Sequence, residues 1–395
     1  MHLINSLLAL STAAVIHGAA TKVDDKTGFS WNPESFKVAA VRYPPAKFAY
    51  PIAHNRTWVN LDLNATIDKA VEFIHAAGAE GVKVMGFPEL YFPGFPVALN
   101  YNFTPPNFAQ YASQAMVHDG PEWKRLAAAF AANKMYAVVS FAEHVPVEDA
   151  LYMGQYLIGP DGATIHKHRK LRPSGAERNL FSDGDIESIR AVRLPFGTVT
   201  FLSCWENLWP TMRFTAASQP AHLHVASFPF CADSVGDTEW WEHCEGFRSV
   251  VKTYTQEAGV AAIFSAVGKA SIYDVRGGFV PGSGNSTDET DAESFERMPY
   301  ITAVLDTTSW TEPAFDVDAQ HSYSALVQIL SGLAPGVPRQ WGRYFDHYVS
   351  KIADLSKYYV FTHAPGSVLA NSSNYPSLYQ EYGQTSRLVQ PEKSS

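Results

Sequence analysis

Short apolar runs alternate with amphipathic segments along the chain from about residue 36 to residue 267. Apolar runs of roughly four to eight residues, bounded by glycine or proline, predict buried strands. Apolar residues three and four positions apart predict helices that pack on those strands. Strands interleaved with helices indicate an α/β layered fold. We predict strands at Phe36–Val41, Val82–Phe87, Tyr136–Phe141, Leu151–Ile158, Ala163–His168, Val199–Ser203, Val225–Phe228 and Val260–Val267.

Three segments have the apolar spacing of an amphipathic helix. They are centred on Ile67–Ile74, Trp123–Phe130 and residues 246–257, and Gly78 and Gly81 are predicted to end the first of them. The intervening segments carry turn-forming residues. Gly159–Gly162 predicts a hairpin turn, the proline- and aromatic-rich residues 43–60 predict a long surface excursion, and Gly282–Ser294 predicts an exposed loop.

The first 20 residues differ from the rest of the chain. Leu3–Ile16 is apolar and almost free of charge, and small residues precede Thr21, so we predict a signal peptide over residues 1–20. A disordered or core-packed N-terminus is the alternative. The remaining chain is divided into an N-terminal extension (21–35), one α/β domain (36–330), and a C-terminal extension and tail (331–395).

Sequons support a secretory route, because N-x-Ser/Thr is the acceptor pattern for N-glycosylation. The predicted acceptors are Asn55, Asn64, Asn102, Asn285 and Asn371. We therefore expect a secreted glycoprotein, and no segment after the leader has the pattern of a membrane span.

Charge and composition narrow the partner class. The chain of 395 residues has a net charge of −9, and 46% of its residues are hydrophobic. This balance lacks the clustered basic surface that nucleic-acid binding requires, and it allows a large buried core. We expect a small-molecule partner and no nucleic acid.

Cys204 is the first candidate for chemistry. It directly follows an apolar strand, and a thiol in this position is held rigidly, with backbone N–H groups after the strand able to face developing negative charge. A buried structural thiol is the alternative reading, since cysteine is often buried.

Glu89 and Lys170 are the other two candidates. Glu89 follows the strand Val82–Phe87, where apolar surroundings raise a carboxyl pKa and suit it to act as a base for a thiol. Lys170 ends a basic run, and a buried ammonium stabilises a thiolate and an anionic intermediate. Read singly, Glu89 could be a solvated or ion-paired residue and the basic run a solvated face.

Three separate blocks, in order along the chain, resemble the nitrilase superfamily of carbon–nitrogen hydrolases. They are Phe36–Pro96, Leu157–Arg178 and Pro195–Asn207. The resemblance implies a four-layer αββα sandwich over residues 36–330 and a Glu–Lys–Cys triad of Glu89, Lys170 and Cys204. It also implies that Glu177 positions substrate or Lys170 and that the Trp205 backbone N–H stabilises negative charge. It further implies no metal or organic cofactor, and a homodimer or larger homo-oligomer.

Trp205-Glu206, directly after the cysteine, is similar to true nitrilases and related cyanide-processing enzymes. It implies hydrolysis of a small nitrile to a carboxylic acid and ammonia through a cysteine thioimidate and thioester. An amidase or pantetheinase-like hydrolase, or a hydratase that releases the amide, remains an alternative within the superfamily. A catalytically silent binding protein is the alternative from another class.

The chain has three cysteines. If Cys204 is the reactive thiol, Cys231 and Cys244 are free to form a disulfide, which an oxidising compartment favours. Two separate buried thiols are the alternative, because sequence spacing says nothing about Cα separation.

Overall fold

Eleven strands and six α-helices form the part of the chain that the computed structural model describes. The described residues are 34–48, 59–97, 104–219, 221–231, 242–280 and 292–307. The strands are β1 (Ser35–Val41), β2 (Val82–Gly86), β3 (Tyr136–Val145), β4 (Ala150–Ile158), β5 (Thr164–Arg169), β6 (Val192–Leu194), β7 (Gly197–Ser203), β8 (Leu223–Phe230), β9 (Ala261–Val267), β10 (Ser271–Tyr273) and β11 (Tyr300–Asp306). The helices are α1 (Leu63–Ala79), α2 (Pro105–Ser113), α3 (Pro121–Ala132), α4 (Pro210–Ala217), α5 (Cys244–Ala258) and α6 (Ala292–Arg297).

The strands form two mixed sheets. The first has six strands in the order β11-β1-β2-β3-β4-β5, and the second has five in the order β10-β9-β8-β7-β6. In each sheet the central strands are parallel: β1, β2 and β3 in the first, and β7, β8 and β9 in the second. The antiparallel partners lie toward the edges. Parallel strands place their carboxyl ends on one edge, which is where α/β folds build their sites.

The two sheets pack face to face, and helices cover their outer faces. Between the sheets, Val38 and Val84 of the first lie in one apolar cluster with Val225 and Ile263 of the second. A Cβ atom at Gly86 would lie 2.9 Å from Ile263 and 3.0 Å from Val225, so glycine allows this close approach. Each fully buried valine or isoleucine stabilises the fold by roughly 1.5–3 kcal/mol.

The outer layers are built from amphipathic helices. Ile74 of α1 and Leu126 of α3 pack in one cluster with the outward face of the first sheet. Phe247 and Val251 of α5 pack with Phe264 on the outer face of the second sheet. The order helix, sheet, sheet, helix is the αββα sandwich that the resemblance implied, and that prediction is confirmed.

Local chemistry explains where several helices begin and end. The Asp62 side chain accepts the Ala65 N–H at 3.1 Å and caps α1, which begins at the next residue. Proline occupies the first turn of α2, α3 and α4, where its missing N–H costs nothing. Gly259 (φ 62°) ends α5 in the left-handed region, as helix C-termini favour.

The structure corrects some of the sequence predictions. Gly78 lies inside α1 and does not end it; Gly81, with φ 80°, follows the helix. The predicted loop Gly282–Ser294 is wrong at its end, because Ala292–Ser294 begin α6 and Ser294 is buried. The proline-rich excursion is described only over its ends, where Pro45 is buried. Helices α2, α4 and α6 and the strands β6, β10 and β11 were not predicted.

Several other predictions fall on residues that the structure does not describe. They concern the leader (1–20), the N-terminal extension up to residue 33, the chain after residue 307, and the sequons at Asn55, Asn102, Asn285 and Asn371. The fifth sequon is described. Asn64 is exposed in the first turn of α1, and its side-chain oxygen accepts from Arg125 at 2.8 Å. Across the described ranges, no helix has both the length and the apolarity that a bilayer crossing requires.

Candidate active site

The three sequence-predicted catalytic residues converge where strands end. Cys204 directly follows β7, Lys170 directly follows β5, and Glu89 lies three residues beyond β2. The Glu89 backbone N–H donates to the Phe228 carbonyl at 3.0 Å, and this bond joins the carboxyl end of β2 in one sheet to β8 in the other. All three side chains are buried, with exposed fractions of 2% or less.

Lys170 sits between two carboxylates. Its Nζ donates to Glu89 Oε2 at 3.0 Å and to Glu177 Oε2 at 2.8 Å. Burial alone disfavours the ammonium, but the charges of Glu177 and Glu89 outweigh it, so the pKa of Lys170 lies above its ordinary value. Lys170 therefore stays protonated through the neutral range and supplies a fixed positive charge.

Glu89 uses its two oxygens differently. Oε2 accepts from Lys170 Nζ and from the Ser203 hydroxyl. Oε1 is buried and has no hydrogen-bond partner among the described residues. Burial raises the pKa of Glu89 to about 7, with Glu177 adding to the shift and Lys170 and Ser203 opposing it. A carboxyl with this pKa gains and loses a proton near neutral pH, as a general base should.

Cys204 has a strained backbone at the end of β7. Its φ is 43°, in the left-handed region that non-glycine residues avoid at a cost of roughly 1–2 kcal/mol. It opens a short 3-10 helix, Cys204–Glu206, and the Trp205 N–H faces the sulfur as a donor. Burial, then the Glu89 charge, raise the pKa of the Cys204 thiol well above its ordinary value, while Lys170 and Trp205 oppose them. The thiol is therefore protonated at rest and needs a base.

Glu177 is fixed by its own local turn. It lies in a short 3-10 helix, Gly175–Asn179, and its Oε2 accepts the Ser174 N–H at 2.6 Å as well as the Lys170 ammonium. The structure thus places Glu177 beside Lys170.

A buried glutamate ties the cysteine segment to the lysine segment. Glu206 Oε1 accepts the Leu171 N–H at 2.8 Å, and Oε2 accepts the Ser203 N–H at 2.9 Å and contacts His168 Nε2 at 2.8 Å. Burial opposes ionisation, but the charge of His168 and the donated hydrogen bonds outweigh it and lower the pKa of Glu206. Every oxygen of this buried carboxylate is therefore paired.

Asn207 fixes the other side of the turn at Cys204. Its Nδ2 donates to the carbonyls of Leu202 and Cys204, each at 3.1 Å. Its Oδ1 contacts His224 Nε2 at 2.9 Å, and His224 Nδ1 contacts the Thr200 hydroxyl at 3.0 Å. Burial lowers the pKa of His224 to about 3, so the ring is neutral and donates from Nε2.

Gly184 allows the chain to pass directly behind Lys170. Its N–H donates to the Lys170 carbonyl at 3.0 Å. A Cβ atom at this position would lie 2.2 Å from the Arg169 carbonyl oxygen, so any side chain would push the lysine segment out of place.

Cys231 and Cys244 are joined by a disulfide, with their Cα atoms 4.8 Å apart. The bond links the end of β8 to the first residue of α5, and both cysteines share an apolar cluster with Cys204. Cys204 is left as the free thiol of the chain's three cysteines. The segment between the paired cysteines, residues 232–241, lies outside the described residues.

The sequence singled out Glu89, Lys170, Glu177, Cys204 and Trp205, and the structure brings all five together. Sequence reasoning missed the roles of Ser203, His168, Glu206 and Asn207. The signal available in the sequence was that polar and charged residues lie next to Lys170 and Cys204, at positions that are buried together with the strand ends. In the part of the chain that is described, no group of three or more His, Cys, Asp or Glu side chains is placed to hold a metal ion.

Comparison with known proteins places this site in a family. Residues 37–291, more than half of the chain, match the carbon–nitrogen hydrolase family. The chain belongs to the carbon–nitrogen hydrolases, and within them it is similar to the nitrilase-like branch.

Three curated relatives carry that similarity. A nitrilase of Talaromyces marneffei is 37% identical over 173 residues, which are 43% of this chain and 53% of that protein. An arylacetonitrilase of Hypocrea virens is 32% identical over 237 residues, 58% of this chain and 71% of that one. A bromoxynil-specific nitrilase of Klebsiella pneumoniae subsp. ozaenae is also 32% identical, over 58% of this chain and 61% of that one. The chain spans less than two thirds of the first and third relatives.

Solved structures give the same fold. A mutant amidase of the nitrilase superfamily from Nesterenkonia superposes with a TM-score of 0.54 at 15% identity, covering 75% of this chain and 97% of that chain. A branch 10 member of the superfamily from Saccharomyces cerevisiae superposes with a TM-score of 0.51 at 16% identity, covering 78% and 96%. At such identities the likeness concerns the fold alone.

Proposed function

We propose that this protein is a nitrilase that converts a small organic nitrile and two water molecules into a carboxylic acid and ammonia. The observation that carries the proposal is that the two carboxylate oxygens of Glu89 have different surroundings. One oxygen is held by Lys170 and Ser203, and the other is buried without a described partner. The Cys204 thiol, whose pKa the Glu89 charge helps to raise, is buried and protonated at the same site. This arrangement suits transfer of the thiol proton to Glu89 Oε1.

The first half of the reaction forms a thioimidate. Glu89 Oε1 takes the Cys204 proton as the sulfur bonds to the nitrile carbon, and one π pair of the C≡N bond moves to nitrogen. That nitrogen takes the proton back from Glu89, so the carboxylate is restored. Lys170, held positive by its two carboxylates, and the Trp205 N–H stabilise the negative charge that develops.

The second half releases both products. Glu89 removes a proton from a water that adds to the thioimidate carbon, and proton transfer to nitrogen lets ammonia leave as the C–N bond breaks. The thioester that remains is attacked by a second water, again activated by Glu89. The C–S bond breaks, the acid leaves, and the proton returns to Cys204.

The similarity to named nitrilases favours a nitrile over an amide. The relatives described above act on nitriles by name, and the chain keeps the Trp205-Glu206 pair after the nucleophile. Other relatives are cyanide hydratases, at 33% identity for that of Alternaria brassicicola. Release of an amide, by early loss of the thiolate from the tetrahedral intermediate, is therefore the second candidate outcome.

Product counting tests the proposal. The purified chain is incubated with a panel of aryl, arylacetyl and aliphatic nitriles, with cyanide, and with the matching amides, and acid, amide and ammonia are measured separately. We expect nitriles to give acid and ammonia in equal amounts, and Cys204→Ala to give neither. Faster turnover of amides would make the protein an amidase, and amide as the main product would make it a hydratase. No turnover together with a slow-reacting Cys204 would favour a silent binding protein.

We also propose that the chain is secreted and glycosylated. Support comes from the apolar leader, the exposed sequon at Asn64 and the disulfide between Cys231 and Cys244. N-terminal sequencing of natively produced protein should begin near Thr21, and a glycosidase should lower its mass. An intact leader on an unglycosylated chain would contradict this.

The resemblance further supports a homodimer or a larger homo-oligomer as the working assembly. Light scattering coupled to size-exclusion chromatography measures the mass directly. A monomer at all working concentrations would contradict the proposal.

A further inference from the structure

Three serines lie in register across the second sheet, and each makes a different contact with the first sheet or its end. Ser203 of β7 pairs with Ser227 of β8, which pairs with Ser265 of β9. Ser265 donates to the Gly86 carbonyl at 2.9 Å, and Ser227 accepts from Gln155 at 2.9 Å. These two contacts join β9 to β2 and β8 to β4.

Ser203 differs from the other two because its partner is the base. Its hydroxyl is buried and donates to Glu89 Oε2, the oxygen that also accepts from Lys170. Two donors therefore converge on one carboxylate oxygen. The backbone of Ser203 is fixed as well, since its N–H donates to Glu206 Oε2 at 2.9 Å. Because the Ser203 backbone is held in place, its hydroxyl keeps Glu89 Oε2 at one position and limits rotation of the carboxylate about its Cγ–Cδ bond.

We propose that Ser203 is a positioning residue for the reaction at Cys204: its hydroxyl holds Glu89 by Oε2 and so reserves Oε1 for the thiol proton. The inference rests on the proposed function, in which Glu89 is the base. Without the hydroxyl, Oε2 keeps only the Lys170 ammonium as a donor, and rotation of the carboxylate can exchange the places of its two oxygens. The hydrogen bond also favours the ionised carboxylate, so its loss raises the pKa of Glu89.

The charged groups around Glu89 come from several segments. Lys170 and Glu177 face it from the chain after β5, and Cys204 faces it from the end of β7. The Tyr111 hydroxyl of α2 is close enough to feel the charges of Glu89 and Glu177, but burial raises its pKa well above the ordinary value and it stays neutral. Glu89, whose pKa burial raises to about 7, is a group that titrates near neutral pH.

The test compares pH profiles of matched variants. Ser203→Ala should lower kcat with little change in KM. It should also move the acid limb of the kcat/KM profile, the pH below which kcat/KM falls, upward by about one pH unit. This is the shift expected when a hydrogen bond to a charged group is lost. Ser203→Thr keeps a hydroxyl and should restore the wild-type limb. Ser227→Ala removes the neighbouring serine in register, without touching Glu89, and should leave the limb in place.

A second readout covers the case in which Ser203→Ala has no measurable turnover. The rate of Cys204 alkylation by iodoacetamide is then followed against pH, and its midpoint should move upward in Ser203→Ala alone. An unmoved limb and an unmoved midpoint in Ser203→Ala would overturn the inference, provided that Glu89→Gln is inactive. Wild-type turnover in Glu89→Gln would instead overturn the proposed function itself.

Discussion

The backbone N–H of Leu171 donates to Glu206 Oε1 at 2.8 Å, so the residue after Lys170 is bonded to a side chain two positions after Cys204. The other oxygen of Glu206 accepts from the backbone N–H of Ser203, the residue before Cys204. One carboxylate therefore holds the Lys170 and Cys204 segments in a fixed relation. Because it is fully buried, any loss of its acceptors leaves donors unpaired.

Glu206→Gln should lower both stability and activity. The amide that replaces one oxygen points a donor at N–H groups that need an acceptor, which costs about 1–3 kcal/mol in the free energy of unfolding. The displaced lysine segment should reduce kcat. Urea unfolding and nitrile turnover measure the two effects. Glu187→Gln is the control, because Glu187 is exposed and its loss should change stability by less than about 0.5 kcal/mol. A Glu206→Gln protein equal to wild type in both assays would show that the contact has no positioning role.

Glu89→Gln should stabilise the protein at neutral and alkaline pH while abolishing turnover. The folded-state pKa of Glu89 is raised to about 7, above its value in the unfolded chain. The folded state therefore holds this proton over a window in which the unfolded state has lost it, and stability falls as pH rises through that window. The glutamine side chain does not titrate, so the variant keeps its stability as the pH rises. Its free energy of unfolding should exceed that of the wild type by about 3 kcal/mol at pH 8, and the difference should vanish below about pH 4. Urea unfolding across this range measures the difference, and a pH-independent difference would contradict the raised pKa.

The acid limb of the activity profile should lie near pH 7. The base works only when ionised, and burial raises the pKa of Glu89 to about 7, so kcat/KM should fall about tenfold for each pH unit below the limb. The pKa of Lys170 is raised by its carboxylates, so its charge is kept throughout. Initial rates across the acid range check this, and full activity at pH 5 would mean that Glu89 is not the titrating base.

Lys170→Met should destabilise the fold strongly at neutral pH and abolish activity. Removal of the ammonium leaves Glu89 and Glu177 adjacent, buried and without their shared cation, which costs about 3–5 kcal/mol. Acidification protonates one of the two carboxylates and should restore part of the stability. The free energy of unfolding of Lys170→Met should therefore lie closer to the wild-type value at pH 5 than at pH 8. Lys167→Met is the control on the same segment, because Lys167 is exposed and should unfold like wild type. An equal deficit at both pH values would argue against carboxylate repulsion as its cause.

Alkylation without prior reduction should modify Cys204 alone, since Cys231 and Cys244 are bonded to each other. Replacing both paired cysteines by alanine should lower the free energy of unfolding by about 3 kcal/mol, the value that the chain-entropy model gives for a loop of this size. Peptide mapping and urea unfolding measure these outcomes. Modification of all three cysteines under native, non-reducing conditions would refute the pairing.

The sequence by itself determined the elements whose signal is local. Apolar runs specify β1, β2, β7, β8 and β9 because strands buried on both faces need apolar residues at nearly every position. The motif blocks placed Glu89, Lys170, Glu177 and Cys204, since each side chain follows a strand end that its neighbours define. Edge strands β6 and β10 have only three residues each and carry no readable period.

Tertiary structure alone decided which distant groups meet. β11 pairs with β1 from the far end of the domain, with Ser35 opposite Asp306, and no local pattern encodes that choice. Ser203 and Glu89 are 114 positions apart, and Glu206 and Leu171 are 35 apart, yet each pair shares a hydrogen bond. The physical reason is that burial leaves each polar group only the partners that the packed layers bring within reach, and those partners are set by sheet order and register.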